Sequence, residues 1–228
     1  LTLELIDRDE THKLRAYPRE LAAAGIRKIS SLVANIFTAN AGVGPTLADS
    51  GALFNDTAVT TAGGHANLGT DALTAANWDA ACQSVFQQPM LVKNAATYYG
   101  TGPAMAINPR YLLVPRQLQL AAMQILYPHL ERSANIYSEN LQRGEPGDVI
   151  TVPEWSDPTD WAAVCDPRIA PAIYIGERFG LLPEIFISGQ ENIGAVFTHD
   201  EHRLKVRLFL AVWVNDFRPV YKSNVSDA

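Results

Sequence analysis

The stretch HRLKVRLFLAVWVNDFRPVYK (202–222) decides the fold. From Leu204 to Val214 it alternates without a break. Leu204, Val206, Leu208, Leu210, Val212 and Val214 fall on one face, and Lys205, Arg207, Phe209, Ala211 and Trp213 on the other. That period of two predicts one β-strand of about 36 Å, twice the usual length, over roughly 203–215. A basic tail containing Pro219 follows it. Near the other end, YPRELAAAGIRKISSLVANIFTAN (17–40) predicts a helix from Pro18 to Ala39. Pro18 suits a first helical turn, where its missing N–H is not needed. Leu21, Ile29, Leu32, Val33 and Ile36 recur at helical spacing, with Arg27 and Lys28 opposite. At 1.5 Å per residue the helix is about 33 Å long. Two elements of similar, unusual length imply an elongated helix-on-sheet unit joining the two ends of the chain.

Between them lies mixed structure. GALFNDTAVTTAGGHANLGTDALT (51–74) is rich in Gly, Thr, Asn and Asp, which is loop chemistry with room for one short hairpin. Thr74 can cap a helix AANWDAACQSVFQQ (75–88), where Trp78, Ala81, Cys82, Val85 and Phe86 form one apolar stripe that Pro89 ends. AMAINPRYLLVPRQLQLAAMQILY (104–127) reads as strand, turn at Pro115, then helix. GDVITVPEW (147–155), DWAAVCDP (160–167) and AIYIGERFGLLPEIFIS (172–188) are short apolar strands set off by Pro, Gly and Asp. Helices and strands mix without a βαβ repeat, so the class is α+β.

Hydrophobic residues make up 47% of the 228, enough for a real core. No apolar run approaches the roughly 20 residues of a transmembrane helix, and no basic-then-apolar leader is present. A soluble product without a membrane partner is expected. The chain opens at Leu1 in mid-pattern, as a processed or trimmed product would. Cys82 and Cys165 sit far apart in apolar surroundings and read as buried free thiols, with a single bridge as the alternative. A net charge of −6 argues against gripping nucleic acid by phosphate neutralisation, though not against surrounding it.

A search for chemistry finds candidates but no constellation. THDEH (198–202) offers His199, Asp200, Glu201 and His202. On a helix the two histidines could share a metal; as a turn leading into the strand they do not, and the turn is the reading taken. GGHANLG (63–69) carries His65 but lacks the strand-to-helix context of a phosphate-binding loop, so a surface loop is expected. FISGQENIG (186–194) supplies no nucleophile elbow. In PEWSDPTDW (153–161), Trp155 and Trp161 beside carboxylates would suit a sugar, or mark a solvated turn. Arg203, Lys205 and Arg207 form a basic edge expected to pair with neighbouring carboxylates. No catalytic, cofactor-binding or metal-binding residue is assigned, and an enzyme is not expected.

Four stretches together resemble the Mu-like phage head subunits. YPRELAAAGIRKISSLVANIF resembles their opening helix; ALFN (52–55) with GGHANLGTDALTAANWDAACQSVFQQ resembles the loop and helix that follow. INPRYLLVPRQLQLAAMQIL (107–126) is similar to their strand-turn-helix, and HRLKVRLFLAVWVNDFRPVYK to their terminal strand and tail. The resemblance implies a Hong Kong 97-like major capsid fold. It implies a peripheral domain (1–82 and 196–228) with a long spine helix and a long-stranded sheet that FRPVYK closes. It also implies an axial domain (83–195) with a central sheet flanked by helices. The family's N-terminal arm and extended loop find no counterpart here. The implied function is a structural major capsid protein of a tailed phage or prophage. It would self-assemble as a homo-oligomer into hexamers and pentamers, in the host cytoplasm, to form the virion shell enclosing DNA without sequence-specific contacts. The competing reading is a carbohydrate-binding or carbohydrate-active protein using Trp155 and Trp161. Whether those rings line a concavity or pack in a core separates the two.

Overall fold

The computed structural model describes residues 8, 16–93, 98–99, 102–127, 130–133, 136–139, 148–180, 182–188 and 194–226. In chain order the elements are α1 (Tyr17–Thr38), β1 (Leu68–Gly69), α2 (Ala75–Gln87), β2 (Val92–Lys93), β3 (Tyr98–Tyr99) and β4 (Pro109–Val114). A 3₁₀ turn at Arg116–Leu118 leads into α3 (Gln119–Leu126), followed by β5 (Leu130–Ser133), β6 (Ile136–Glu139), β7 (Asp148–Thr151) and β8 (Trp161–Cys165). Then come β9 (Ile173–Arg178), β10 (Glu184–Ser188), α4 (Ala195–His199), β11 (Arg203–Arg207), β12 (Phe209–Val214) and β13 (Val220–Ser223). The α+β class and the expected long helix are both present. Among the described residues no helix is long and apolar enough to cross a membrane.

The chain divides into two compact units, Leu1–Leu32 with Ile175–Val212, and Val33–Tyr174 with Trp213–Ala228. These divisions fall elsewhere than the sequence boundaries at 82 and 196.

In the first unit the expected continuous strand is broken. β11 pairs antiparallel with β10, with Leu204 opposite Ile187 and Arg207 opposite Glu184, whereas β12 pairs with β9. The alternation itself holds, since Leu204, Val206, Leu210 and Val212 are half-buried while Arg203, Lys205, Phe209 and Ala211 are exposed. The cause of the break is in the partner. Between β9 and β10 the backbone turns aside at Phe179 (φ 72°) and Gly180 (φ 110°), so the ladder is interrupted at Leu208. Helix α1 approaches this ribbon at Gly25. A Cβ there would come within 2.5 Å of Pro183 Cγ and 3.8 Å of Leu208 Cδ2. Only glycine allows so close a packing of helix on sheet. Leu21, expected on the apolar stripe, is 42% exposed.

The second unit is built on a five-stranded sheet in the order β1-β13-β8-β4-β7. β1 and β7 run parallel to their neighbours, and the inner pairs are antiparallel. The tail expected to close the peripheral domain supplies β13, an inner strand of this sheet. Helices α2 and α3 cover one face, where Trp78, Ala81, Cys82, Leu112, Val114, Ala122, Leu126, Trp161 and Ala163 form the core. Thr74 caps α2 as expected, its hydroxyl accepting from Asn77 N at 3.2 Å. Phe86 departs from expectation at 41% exposed. At about 100° per residue it lies roughly 80° from Trp78 around the helix, past the edge of the buried stripe. Cys82 and Cys165 are both buried and are not joined in a disulfide.

Candidate functional site

The residues of GGHANLG do not form the expected surface loop. His65 and Asn67 are both fully buried, and with Asn55 they organise the segment between α1 and α2. The Asn55 amide donates to Ala52 O (2.8 Å) and Gly63 O (2.9 Å), while its oxygen accepts from the backbone of Thr57 and His65. His65 Nδ1 lies 2.6 Å from Ala52 O. Its Nε2 faces Asp49 Oδ2 at 2.8 Å, and its ring stacks on Phe217 at 4.0 Å between centroids. Partial burial pushes the Asp49 carboxyl up, but the hydrogen bonds from His65 and from Gly51 N outweigh it and hold it below its usual value. Asn67 ties the segment to the tail by donating to Leu53 O, Phe217 O and Val220 O. Buried polar side chains demand such partners, and here backbone carbonyls supply them.

A second polar centre lies at the end of α1. The helix stops in a run of positive φ at Asn40 (52°), Ala41 (55°) and Gly42 (87°), and Asn40 Nδ2 donates to Gly44 O at 2.8 Å. Lys222, on β13 and 1% exposed, donates its three ammonium protons to Phe37 O (2.9 Å), Gly42 O (2.9 Å) and Asp160 Oδ2 (2.7 Å). A cation on the last carbonyls of a helix suits their partial negative charge. Asp160, 5% exposed, uses Oδ1 to accept from Val225 N at 2.9 Å. Nothing local marks this pair in the sequence, because a lysine in a tail ordinarily reads as solvated. Both polar centres tie together segments that are distant in sequence.

The residues that suggested chemistry are dispersed. His199 closes the short α4 with its Nδ1 2.7 Å from Thr198 Oγ1, whereas His202 lies past the left-handed Asp200 with its Nδ1 3.3 Å from Ser188 O. Among the described residues no group of three His, Cys, Asp or Glu could hold a metal. Trp155 (6% exposed) packs on Phe37 and Trp161 (1%) on Trp78 and Tyr221, so both belong to the core. Trp161 Nε1 donates to Asp71 O at 2.9 Å. The feature that favoured a carbohydrate reading is therefore gone. Two of the three residues of the basic edge pair as expected, Arg203 with Glu201 at 3.2 Å and Arg207 with Glu184 at 2.6 Å. An apolar groove of about 400 Å³ lies on the sheet face away from α2 and α3, lined by Tyr111, Leu113, Ile150, Val164 and Cys165 among others. Burial pushes the Cys165 thiol up to about 12, assisted by the charge of Asp216, which makes it inert at neutral pH.

The phage capsid protein family matches residues 1–223, nearly the whole chain, and the protein belongs to that family. It is a structural capsid component, located in the virion and assembling into an oligomeric shell. Comparison with curated proteins and with solved structures gives no match.

Proposed function

We propose that the protein is the major head subunit of a tailed phage or prophage, of the Mu-like kind and with a Hong Kong 97-type arrangement. The family match over residues 1–223 carries the reading. Two features support the finer assignment. A 22-residue helix begins in a unit that holds a paired-strand ribbon, and a five-stranded sheet flanked by helices makes the other unit. In this reading the ribbon with the first part of α1 is the peripheral element and the sheet with α2 and α3 the axial one. That moves the domain divisions from 82 and 196 to those of the compact units. Hexamers and pentamers of the chain would tile the shell, and its net charge of −6 suits a wall that encloses DNA without gripping it.

Electron microscopy of the complete gene product expressed alone tests this. Ring-shaped capsomers or closed shells are expected, with particle mass insensitive to nuclease. A product that stays monomeric by sedimentation at tens of micromolar, with no particles on the grid, would refute the reading.

A further inference from the structure

The two faces of the first unit's ribbon differ. Leu204, Val206 and Leu208 point to the side that α1 approaches at Gly25. On the other side stand Lys205, Arg207 and Phe209, and the register sets Phe186 opposite Lys205 and Glu184 opposite Arg207. The Arg207 guanidinium lies 4.8 Å from the Phe186 ring centre, 4.9 Å from that of Phe179 and 5.9 Å from that of Phe209. Glu184 Oε2 holds it through Nε (2.9 Å) and Nη2 (2.6 Å). Phe179 and Phe209 meet edge to face at 5.9 Å.

This cluster is packed together yet exposed. Phe179 is 57% exposed, Phe186 43% and Phe209 49%. Three rings about half exposed leave roughly 200–400 Å² of aromatic surface, the size of patch that on soluble proteins is often functional. Phe179 also holds a left-handed backbone, which a bulky residue adopts only where something compels it. A braced arginine among rigid rings on strands loses little freedom when it is covered, which favours binding.

We infer that this face is a subunit contact, and that its occupant is the acidic surface of a second copy of the chain. The inference rests on the capsid reading, under which copies must touch. Charge selects the occupant. Strands β9–β12 with the turn between β9 and β10 carry four cations (Arg178, Arg203, Lys205, Arg207) against two carboxylates (Glu177, Glu184), with Glu201 beside Arg203 as a third, which still leaves a basic excess within a chain of net charge −6. The complement of a basic, aromatic face is an acidic one, and the rest of the same chain provides it. Nucleic acid fits less well, because Arg207 is already committed to Glu184 and to the rings. A patch this small is below the roughly 1,000 Å² of a stable pairwise interface. It suits a head-to-tail contact repeated around a closed assembly, where weak contacts add.

The test uses the complete gene product and two variants, F186S/F209S and K205E, whose altered side chains are exposed. Each variant should melt close to the wild type while its threshold concentration for assembly rises at least about tenfold, the signature of a contact residue. In assembled wild type made from equal parts isotopically heavy and light chain, carbodiimide should join Lys205 to an Asp or Glu peptide of opposite label. Assembly of both variants at the wild-type threshold overturns the inference alone. So does cross-linking of Lys205 only within one chain, to another protein, or to DNA. If F186S/F209S loses its fold, K205E decides, since it alters only the exposed charge. Failure of the wild type to assemble overturns the capsid reading and this inference together.

Discussion

Replacing Lys222 by Met should be among the most damaging single changes in the second unit. Methionine keeps most of the buried stem volume, so the cavity penalty is small and the loss is polar. Three groups lose their donor at once: Asp160 Oδ2, Phe37 O and Gly42 O. Asp160 stays 5% exposed with its charge facing no cation, the situation in which removing one partner of a buried pair costs about 3–5 kcal/mol. In a chain of this size each 1 kcal/mol moves the melting midpoint by about 2–4 °C, so K222M should lower it by roughly 6–20 °C. Differential scanning calorimetry reads this directly. The double variant K222M/D160N removes the stranded charge and should recover part of the loss, because residues in one ion pair do not add independently. A K222M midpoint within about 2 °C of wild type would refute the reasoning, since it would mean that the ammonium is not a buried tie. A double variant that loses the full sum of the singles would refute the coupling.

Further outcomes are expected. W78A should cost about 3–5 kcal/mol by denaturant titration, whereas F86A, on an exposed ring, should stay within about 1 kcal/mol; equal costs would contradict the helix orientation. The folded Asp49 carboxyl sits below its ordinary 3.8. Its contribution is thus present above that pH and lost as pH falls through the folded value. D49N should flatten the acid side of the melting-temperature profile there, and an unchanged profile would deny the His65 contact. Under native conditions a thiol reagent should leave Cys165 unmodified and label it once the protein is unfolded, because its thiol is buried and raised to about 12. Rapid native labelling would contradict that burial.

The local elements were legible because their causes are local. Pro18, the helical spacing of Ile29, Leu32 and Ile36, the Thr74 cap and Pro115 placed α1, α2 and the strand-turn-helix within a residue or two. The period-two pattern at 204–214 correctly separated two faces, yet it could not show that the partner turns aside at Phe179 and Gly180. Phe86 misled because an apolar residue at the border of a stripe looks the same as one inside it. The buried polar centres stayed hidden for a different reason. His65, Asn67 and Lys222 are satisfied by carbonyls and carboxylates far away in sequence, such as Phe217 O, Phe37 O and Asp160. Gly63, with φ of 71° and a Cβ position crowded by Gly51 backbone, was the one local hint that the HANLG segment is tightly folded.

Strand β13 has a consequence for the timing of folding in the cell. It lies inside the sheet, between β1 and β8, and its Ser223 donates to Asp71 O across 152 residues of chain. At about 5–20 residues per second a ribosome needs roughly 8–30 s to travel from one partner to the other. Through that interval the α1 terminus has no ammonium to cap it, and for about its last 3–11 s, once β8 has been made, β8 has an unpaired edge. The second unit therefore closes only when residues 220–223 have emerged, after helices α2 and α3 and strands β1, β4, β7 and β8. A nascent chain broken off before residue 220 cannot complete this sheet.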